Sequence, residues 1–577
     1  MKSDVQTARH RWKLPAATAD PRVHVLEGEL GAPRALAAIL VNRGIETGSQ
    51  ARAFLSPDRS RLGDPLLLPD IESALDRLRR AVADRERIFV CGDYDVDGIT
   101  SVVLLRRCLA AAGLDVGYHI PNRLQEGYGL SERGVVAARD YGADLIVTVD
   151  SGITGHAEVE VARRLGIDVI VTDHHEPQDS LPDALAVVDP KRGDSEYPYS
   201  DLAGVGVAFK VMEALARYEP QVAYAVEESL DLVAVGTVAD IVPLRNENRI
   251  LTALGLSRLR ITGNAGLRAL MEVAGVEPAS AVASHIGFAL GPRLNAAGRL
   301  GDASIGVELL TTEDDEQAHA IARKLDRENT KRRELERGVF EDALRMIDES
   351  VDLDSRRSIV LWSADWHAGV IGIVASKIAK RYNRPTILLS IDNGVAKGSG
   401  RSIPGFDLHA ALLGCRRFLT SFGGHQHAAG VSLTEGNLIA FRDCVDEAVS
   451  STLTPDDLVP VVEIDALVSL DECDFDLVGW MKKVRPFGAG NPEPVFGTRK
   501  LKLIQAKVVG NGHLKLTLAQ GDRVMDAIGF GMGGHLDDLR ESGGIVAAAY
   551  ILEENTWRGV TDLQLRLKDV RPETYGL

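Results

Sequence analysis

The residues best suited to chemistry lie in one short stretch, Gly-Asp-Tyr-Asp-Val-Asp-Gly at 92–98, directly after an apolar run at 88–91. Three alternating carboxylates, Asp93, Asp95 and Asp97, stand between the two glycines. Closely spaced anionic oxygens repel one another unless a cation neutralises them, so the spacing predicts a divalent-metal site. A solvated acidic turn is one alternative. A calcium loop of the EF-hand type is another, but it needs a Glu at its twelfth position, where this chain has Leu104.

Acidic and histidine side chains also follow later apolar runs: Asp150 after residues 145–149, Asp173, His174 and His175 after residues 169–172, and Asp240 after residues 232–239. Loops beyond the carboxyl ends of parallel strands are where α/β sheets place their sites, so we expect these groups to converge. For Asp150 alone, a helix cap is an equally good interpretation. Histidine and carboxylate without paired thiolates favour Mn²⁺ or Mg²⁺ over structural zinc. A carboxylate such as Asp150 can bridge two such ions about 3.5–4 Å apart.

The elements that must position these residues alternate between strands and helices up to about residue 245. Strands are predicted at 88–91, 116–120, 145–149, 169–172 and 185–188. Such alternation predicts a parallel sheet covered by helices on both faces. Asp70 is placed to cap the preceding helix, which begins at 71. Before residue 70 the pattern indicates short helices, at 34–41 and 49–55.

After Asp240 the sequence predicts about a hundred helical residues, ending in a long charged helix at 318–349. A second α/β segment follows at 356–450, with strands at 358–362 and 386–390 and a helix at 369–382. From 485 onward, leucines alternate with polar residues, as at 514–518 and 563–567. Period-two alternation indicates half-exposed strands, and about five of them predict an OB-type barrel.

Composition limits the classes of function. The chain has 577 residues and a formal net charge of −17, which argues against non-specific coating of duplex nucleic acid. No apolar run is long enough for a membrane span and the start has no apolar signal core, so we expect a cytoplasmic protein. The five cysteines contain no CxxC pair, so neither a zinc knuckle nor a disulfide framework is indicated.

Together the acidic motif at 92–98 and the Asp-His-His triplet at 173–175 resemble the DHH phosphoesterase superfamily, and most closely its single-strand-specific 5′ to 3′ exodeoxyribonucleases. Further motifs of these enzymes follow in the same order: Ile-Pro-Asn-Arg (120–123) with Glu-Gly-Tyr-Gly (126–129), Val-Ala-Asp-Ile-Val-Pro (238–243), Gly-Pro-Arg-Leu-Asn-Ala-Ala-Gly-Arg (291–299), Trp366 to Lys377, Gly-Ser-Gly-Arg-Ser (398–402), Gly-Gly-His-Gln-His-Ala-Ala-Gly (423–430) and Arg-Pro-Phe-Gly-Ala-Gly-Asn-Pro (485–492). One triplet is a weak signal, whereas ordered motifs over most of the chain are a specific one.

The resemblance implies an α/β fold in which a parallel-sheet DHH domain is joined by a long helix to a smaller α/β DHHA1 domain, with an OB-like β-barrel at the C-terminus. The expected segments are an N-terminal helical part at 1–70, the DHH domain at 71–315, the connector helix at 316–350, the DHHA1 domain at 351–455 and the OB-like domain at 456–577.

For the site, the resemblance implies two ions, Mn²⁺ or Mg²⁺. Asp95 and Asp97 would each hold one ion, Asp150 would bridge, His174 and Asp240 would complete the second site, and Asp93 would assist the first. His175 is expected to act in catalysis either as an outer partner of the ligands or through phosphate contact, rather than as a ligand. Many DHH proteins have a His where this chain has Cys91. Cys91 is either a buried strand residue, which its apolar neighbours favour, or an unusual thiolate ligand.

Arginines and the glycine-rich motifs are the expected substrate contacts, because a guanidinium fork matches phosphate oxygens and glycines let phosphate approach backbone N–H groups. The candidates are Arg123, Arg293, Arg299, Ser399, Arg401 and His427. Pairing with nearby acids such as Asp302 is the alternative for Arg293 and Arg299, and ordinary turns are the alternative for the glycine-rich motifs.

The expected function is two-metal hydrolysis of single-stranded DNA from its 5′ end to mononucleotides, in recombination and repair. We expect a monomer that works beside a single-strand-binding protein and a helicase. A cleft between the DHH and DHHA1 domains too narrow for duplex would enforce the choice of single strands. The alternatives are a DHH phosphodiesterase acting on short oligonucleotides or cyclic dinucleotides, and a non-catalytic scaffold that binds single-stranded DNA.

Overall fold

The computed structural model describes residues 10–14, 20–123, 125–541 and 543–573. The chain divides into two compact units. One comprises residues 53–332 and 485–492, and the other comprises the chain up to Arg52, residues 333–484 and the chain from Glu493 onward. Among the described residues, no helix combines the length and the apolar character that a membrane span requires.

The N-terminal segment contains the short strand β1 (Arg11–Lys13) and the helices α1 (Pro21–Leu30), α2 (Arg34–Asn42) and α3 (Gly48–Leu55). The second and third lie close to the predicted short helices. The following helix, α4 (Ile71–Asp84), begins after Asp70, but the Asp70 side chain does not cap it. Its carboxylate instead accepts hydrogen bonds from the Val187 backbone and from Arg192, because Asp70 takes a left-handed conformation that turns it away from the helix.

The strands β2 (Ile88–Cys91), β3 (Val116–His119), β4 (Leu145–Val149), β5 (Asp168–Thr172) and β6 (Ala186–Val188) form the predicted parallel sheet, in the order β3-β2-β4-β5-β6. Successive residues of the central strands enter different cores: Val90 and Val147 lie in one, Phe89 and Ile146 in the other. Successive side chains of a strand point to opposite faces of the sheet, so burial of both sets means that both faces of the sheet are covered. The helices α5 (Val96–Ala111), α6 (Glu132–Tyr141) and α7 (His156–Arg164) connect the strands.

From residue 204 the chain is helical, which is earlier than predicted, because the sequence analysis placed the helical part after Asp240. The helices are α8 (Gly204–Leu215), α9 (Ala223–Glu228), α10 (Leu230–Ala239), α11 (Asn246–Leu259), α12 (Ala265–Val273), α13 (Ala283–His285), a π-helical turn (Ile286–Leu290), α14 (Gly291–Leu300), α15 (Ser304–Thr311) and the 36-residue α16 (Asp315–Ser350). The long charged helix expected at 318–349 is therefore confirmed. Asp240 follows a helix, α10, rather than a strand.

The second α/β segment contains β7 (Ile359–Ser363), α17 (Ala368–Tyr382), β8 (Thr386–Asp392), β9 (Val395–Arg401), α18 (Leu408–Gly414), β10 (Ser421–Gly424), β11 (Ala428–Thr434) and α19 (Leu438–Thr452). Its sheet has the order β10-β11-β9-β8-β7, and β7 and β8 are parallel while the other neighbours are antiparallel. The motif at 398–402 thus lies mostly on β9, whereas the motif at 423–430 comprises the end of β10, the connection at 425–427 and the start of β11. Cys415 and Cys444 form a disulfide that the cysteine spacing did not indicate.

The C-terminal segment contains β12 (Val461–Glu463), β13 (Ala466–Leu467), α20 (Phe475–Val484), β14 (Phe496–Val509), β15 (His513–Gln520), β16 (Arg523–Gly529), α21 (Leu536–Arg540), β17 (Ile545–Trp557) and β18 (Val560–Pro572). Strand β14 pairs with both β15 and β17, which closes the circuit β14-β15-β16-β18-β17 into the predicted barrel. Leu514, Leu516 and Leu518 point into it and are fully buried. The contact between β16 and β18 is short, pairing Asp526–Ile528 with Gln564–Arg566.

Candidate active site

The six candidate metal ligands of the sequence lie together at the carboxyl edge of the parallel sheet. Asp93 and Asp95 follow β2, Asp97 lies in the first turn of α5, Asp150 follows β4, His174 follows β5, and Asp240 follows α10. Their ligand atoms form three overlapping groups: Asp150 belongs to two of them, and His174 also belongs to two. His175 joins one of these groups, with Asp150 and His174.

His174 stands at the centre of this cluster. Its Nε2 lies 3.1 Å from Asp150 Oδ1, 3.7 Å from Asp240 Oδ2 and 3.9 Å from Asp97 Oδ2. The ring also hydrogen-bonds the backbone of Leu202, which fixes its orientation as outer partners of metal-binding histidines do. One nitrogen therefore faces three carboxylates that come from different elements.

Backbone groups hold the carboxylates in place. Asp97 accepts hydrogen bonds from the amides of Gly204 and Val205 at 2.7 and 2.8 Å, at the beginning of α8. Asp95 is the N-cap of α5 and accepts from the amides of Asp97 and Gly98 at 2.9 and 3.2 Å. Helix N-termini favour negative charge, so the local structure keeps both side chains in fixed rotamers.

Asp150 has a left-handed backbone, with φ of 56°. Such a conformation is uncommon for a residue with a Cβ, and it is found preferentially at functional sites. Gly204 packs directly against it: a Cβ on Gly204 would lie 2.6 Å from the Cβ of Asp150. Only a glycine at 204 therefore leaves room for the Asp150 side chain.

The acids are buried, and burial changes their protonation. Burial, reinforced by the neighbouring acids, raises the pKa of Asp93, Asp97 and Asp150 well above the ordinary value. Burial and the charge of Asp95 raise the pKa of Asp240 to about 7. Burial, aided by the charge of His175, lowers the pKa of His174 to about 3. The cluster thus has a neutral imidazole beside acids whose ionisation is opposed by burial and by their mutual repulsion.

Three buried atoms in this cluster make no hydrogen bond to the described residues: Asp93 Oδ1, Asp150 Oδ1 and His174 Nε2, the last two of which lie 3.1 Å apart without hydrogen-bond geometry. Buried polar atoms without partners are costly, and each needs an explanation such as an ion. All three are metal-ligand atoms, and oxygen with one imidazole nitrogen suits Mn²⁺ or Mg²⁺. The residues present therefore fit divalent ions.

Asp173, the first residue of the triplet, organises the histidines. Its Oδ1 accepts from the His174 amide at 2.7 Å and contacts His175 Nδ1 at 2.8 Å, and its Oδ2 accepts from the Ile153 amide at 2.9 Å. Burial opposes its ionisation, but the hydrogen bond and charge of His175 outweigh burial and lower its pKa. Burial likewise opposes protonation of His175, and Asp173 outweighs it and raises that pKa. His175 is therefore tied to Asp173.

Tyr128 contacts Asp150 and His175, and the sequence analysis did not predict this role. Its hydroxyl donates to the Asp150 carbonyl at 2.9 Å and lies 2.8 Å from His175 Nδ1. Burial and the charges of Asp173 and Asp150 raise its pKa, so the phenol stays a donor. The Glu-Gly-Tyr-Gly motif contained this residue, but no spacing rule links a lone tyrosine to an acid 22 positions away.

Comparisons with known proteins agree with this geometry. Family models match along the chain: "DHH family, N-terminal domain" at residues 87–237, "DHHA1 domain" at 356–451 and "RecJ OB domain" at 464–569. The single-stranded-DNA-specific exonuclease RecJ of Bacillus subtilis (strain 168) is 38% identical, over 99% of this chain and 72% of the relative. The protein of that name from Escherichia coli (strain K12) is 41% identical, over 88% of this chain and 91% of the relative. The chain belongs to the RecJ family.

Solved structures extend the likeness to RecJ. The crystal structure of RecJ in complex with Mn²⁺ from Thermus thermophilus is 31% identical, with a TM-score of 0.83 over 97% of this chain and 79% of that chain. The Mg²⁺ complex of RecJ from the same organism gives a TM-score of 0.76 at 29% identity, over 97% of this chain and 78% of that chain. These agree with the α/β and barrel architecture described above.

Cys91, where many DHH proteins have a His, is a buried residue of strand β2 in this chain. Burial raises the pKa of its thiol to about 12, so it is not a thiolate at neutral pH. Within the described part of the chain, no candidate metal group includes it. The structure thus favours the buried-strand interpretation.

Three candidate substrate residues lie in the same unit as the acids. Arg123 is exposed, and its guanidinium stands 5.0 Å from the centre of the Tyr94 ring. The charges of Arg123 and Arg299 both act on Tyr94, so both lie near the acidic loop. Arg293 is buried, and it donates to Asp326 at 2.9 Å and to the Ala289 carbonyl at 2.8 Å. Arg293 therefore serves a packing contact between helices, with Asp326 rather than Asp302 as its partner.

The other three lie in the second α/β segment. Ser399 and Arg401 are on β9, and Arg401 donates to Ser399 Oγ at 2.8 Å and to Ser376 Oγ of α17 at 3.1 Å. Gly372 of α17 completes this cluster, because a Cβ there would lie 2.9 Å from Ser399 Oγ. His427 is exposed between β10 and β11, and its carbonyl accepts from the Ser402 amide. Two hydroxyls and a guanidinium thus converge, and a guanidinium fork matches phosphate oxygens.

The barrel carries a groove of about 930 Å³ beside the short β16–β18 contact. Exposed Trp557 and Phe475 line it with the basic residues Lys515, Arg523 and Arg558 and with the acids Asp526 and Asp562, of which Asp526 pairs with Lys515 at 3.2 Å. Aromatic faces beside positive charge are the features by which proteins hold single strands without sequence preference.

Proposed function

We propose that this chain is a metal-dependent exonuclease that degrades single-stranded DNA from its 5′ end to mononucleotides, in recombination and repair. The observation that carries the proposal is the cluster of buried Asp93, Asp150 and His174 with unpartnered ligand atoms, in a chain 38–41% identical to relatives named single-stranded-DNA-specific exonucleases.

The proposed metal ligands are Asp93, Asp95, Asp97, Asp150, His174 and Asp240, with Asp150 as the shared ligand. When bound, divalent ions supply the charge that activates a water for attack on phosphorus and that neutralises the phosphate oxygens. The chain's own part is to hold the ligands still. The amides at the beginning of α8 and α5 fix Asp97 and Asp95, the Leu202 backbone fixes His174, and Asp173 fixes both histidines.

His175 is proposed to contact the scissile phosphate. Its Nδ1 is engaged by Asp173, so the ring keeps one orientation, and the raised pKa favours the protonated form that donates to a phosphate oxygen. Arg123 and Arg299 are proposed to hold the strand near the acids. Both are positively charged and lie near the acidic loop.

Ser399, Arg401 and His427 are proposed to bind the 5′-terminal phosphate of the strand. The segments proposed for these roles are residues 71–315, 351–455 and 456–577, for catalysis, for binding of the terminal phosphate and for holding the strand. We propose that the protein acts as a cytoplasmic monomer beside a single-strand-binding protein and a helicase.

The proposal is tested with single-stranded oligonucleotides labelled at either end, with and without a 5′ phosphate, in Mn²⁺ or in EDTA. We expect early release of labelled mononucleotide from the 5′-labelled strand, dependent on metal. Duplex of the same sequence is the control and is expected to resist. Cleavage of dinucleotides without digestion of long strands would instead support the small-substrate phosphodiesterase. An inactive protein that still binds single strands in Mn²⁺ would support the scaffold.

A further inference from the structure

The disulfide of the second α/β segment joins two helices. Cys415 directly follows α18 and Cys444 lies in α19, with Cα atoms 6.1 Å apart and 29 positions between them in sequence. The other three cysteines of the chain are free and buried. Disulfides are rare in cytosolic proteins, and those that occur there are usually transient and redox-active. The bond is therefore a candidate for redox chemistry outside the metal cluster.

The disulfide is open to solvent. A groove of about 550 Å³ between α18 and α19 is lined by both cysteines. Exposed Gly414 and Glu447 line the same groove, one from each helix. Cys415 is buried, whereas Cys444 is only half-buried. A small reductant can therefore reach the sulfur of Cys444.

The other end of α18 contacts the residues proposed to bind the terminal phosphate, which we call the terminal-phosphate site: Ser399, Arg401 and His427. The Leu408 amide, at the beginning of α18, donates to the Gln426 carbonyl at 3.0 Å. The Leu408 side chain also packs onto Gly400 of β9, where a Cβ would lie 2.8 Å from Leu408 Cδ2. One short helix thus supports both glycine-rich motifs at its beginning and is tied to α19 at its end.

Resting on the proposed function, we propose that the Cys415–Cys444 disulfide is a redox-sensitive site that holds α18 against the terminal-phosphate site and that a dithiol opens. With the bond intact, α18 keeps the backbone beside Gly400 and Gln426 in one position. With the bond broken, the end of α18 is free to shift, so the grip on a 5′ phosphate weakens. Leu412 of α18 and Val445 of α19 belong to the same apolar core, so the segment stays folded.

The opening reaction is a pair of thiol–disulfide exchanges. A thiolate of the dithiol attacks Cys444 Sγ, the S–S bond breaks, and Cys415 Sγ leaves as a thiolate that takes up a proton. The second thiolate of the reductant then attacks the reductant's own sulfur in the mixed disulfide and releases Cys444, which also takes up a proton. The protein gains two electrons and two protons, and the dithiol is oxidised to a cyclic disulfide.

The experiment compares the full chain before and after treatment with dithiothreitol, which is removed under nitrogen before the assay. The substrates are two 3′-labelled single strands in Mn²⁺, one with a 5′ phosphate and one with a 5′ hydroxyl. The ratio of their kcat/KM values reports the terminal-phosphate site. A variant with both Cys415→Ala and Cys444→Ala lacks the bond, and Cys473→Ala is the matched control because Cys473 is a free cysteine of the same unit. Alkylation in denaturant followed by mass spectrometry counts the thiols.

We expect three thiols before reduction and five after it. The untreated wild type is expected to prefer the phosphorylated strand, and reduction is expected to lower that preference about 10-fold, the loss of roughly one charge-assisted hydrogen bond to the phosphate. The change is expected in KM for the phosphorylated strand, while kcat on the hydroxyl strand stays the same because the acids lie in the other unit. Reoxidation with glutathione disulfide is expected to restore the preference. The double variant is expected to show the low ratio with or without dithiol, and Cys473→Ala to respond as the wild type does.

An unchanged ratio after reduction to five thiols would overturn the proposal. A fall in kcat/KM by the same factor on both strands would also overturn it, because the bond would then serve stability alone. Five thiols in the untreated protein, together with a strong preference for the phosphorylated strand, would show that the site works without the bond. Fluorescence anisotropy with both strands gives the same ratio without hydrolysis. Failure of the proposed function, seen as no digestion of either strand in Mn²⁺, is therefore distinguished from failure of the redox site.

Discussion

Replacement of Gly204 by alanine is the most direct test of how the fold places Asp150. The added Cβ would lie 2.6 Å from the Asp150 Cβ and 2.9 Å from its Cα. Carbon atoms pack at about 3.5–4.0 Å, so Asp150 must move by roughly 1 Å. Both contacts are made by atoms at or next to the backbone, so no flexible side chain can absorb the clash.

The size of the effect follows from that displacement. Overpacking of this kind costs about 1–3 kcal/mol of stability. A misplacement of 1 Å at a catalytic group costs on the order of 100-fold in rate. We therefore expect kcat of Gly204→Ala on a single strand to fall about 100-fold, with a higher Mn²⁺ concentration for half-maximal activity and a lower unfolding midpoint. Initial rates across a Mn²⁺ titration and thermal unfolding measure all three.

Gly206→Ala, two residues further along α8, is the matched control. A Cβ there meets Leu202 side-chain atoms at 3.4 Å or more, which is ordinary contact. Alanine is also about 0.5–1 kcal/mol better than glycine inside a helix. Gly206→Ala is therefore expected to be fully active and slightly more stable. Wild-type rate and wild-type Mn²⁺ dependence in Gly204→Ala would refute the idea that α8 positions Asp150.

Three further outcomes are expected from other parts of the molecule. Asp150→Asn is expected to abolish hydrolysis and to leave strand binding intact. A Mn²⁺ concentration 100 times the Kd stabilises a metal-binding protein by about 2.7 kcal/mol, and the variant is expected to lose this stabilisation. Thermal unfolding with and without Mn²⁺ measures the loss. Burial raises the pKa of Asp189 to about 7, above the unfolded value of 3.8, so its contribution to stability is complete below about pH 4 and is lost as pH rises towards 7; the unfolding midpoint of Asp189→Asn therefore falls less than that of the wild type between about pH 4.5 and 7.5, and equal falls would contradict this. Trp557→Ala weakens binding of a long single strand by about 5- to 150-fold and leaves kcat on a trinucleotide unchanged, by fluorescence anisotropy and initial rates; unchanged affinity for the long strand would remove the barrel groove from the substrate path.

Strand positions were predictable because their signals are local. Apolar runs such as 145–149 encode buried parallel strands, and alternating leucines such as 514–518 encode barrel strands. The same patterns placed Asp150 and His174 at strand ends, where parallel topology brings residues together without any knowledge of tertiary contacts.

What the sequence did not reveal depends on contacts between distant residues. Tyr128 reaches Asp150 through a loop whose path no pattern specifies, and Cys415 meets Cys444 across 29 positions without a recognisable spacing. Arg293 had the right chemistry for phosphate, but burial beside Asp326 is a tertiary property. The glycines of 398–402 were compatible with either turns or strands, because glycine tolerates both conformations.

The short contact between β16 and β18 means that the number of backbone hydrogen bonds between neighbouring strands differs around the barrel. Strands β17 and β18 pair along their whole length, whereas β16 and β18 meet only at Asp526–Ile528 and Gln564–Arg566 in the described chain. Backbone amides along this seam are expected to exchange with solvent sooner than those of the rest of the barrel, since local opening begins where few bonds must break. The aromatic groove lies at the same seam. A strand bound there would join the two sides of the seam, so slower amide exchange at 523–525 and 560–563 would report occupancy of the groove.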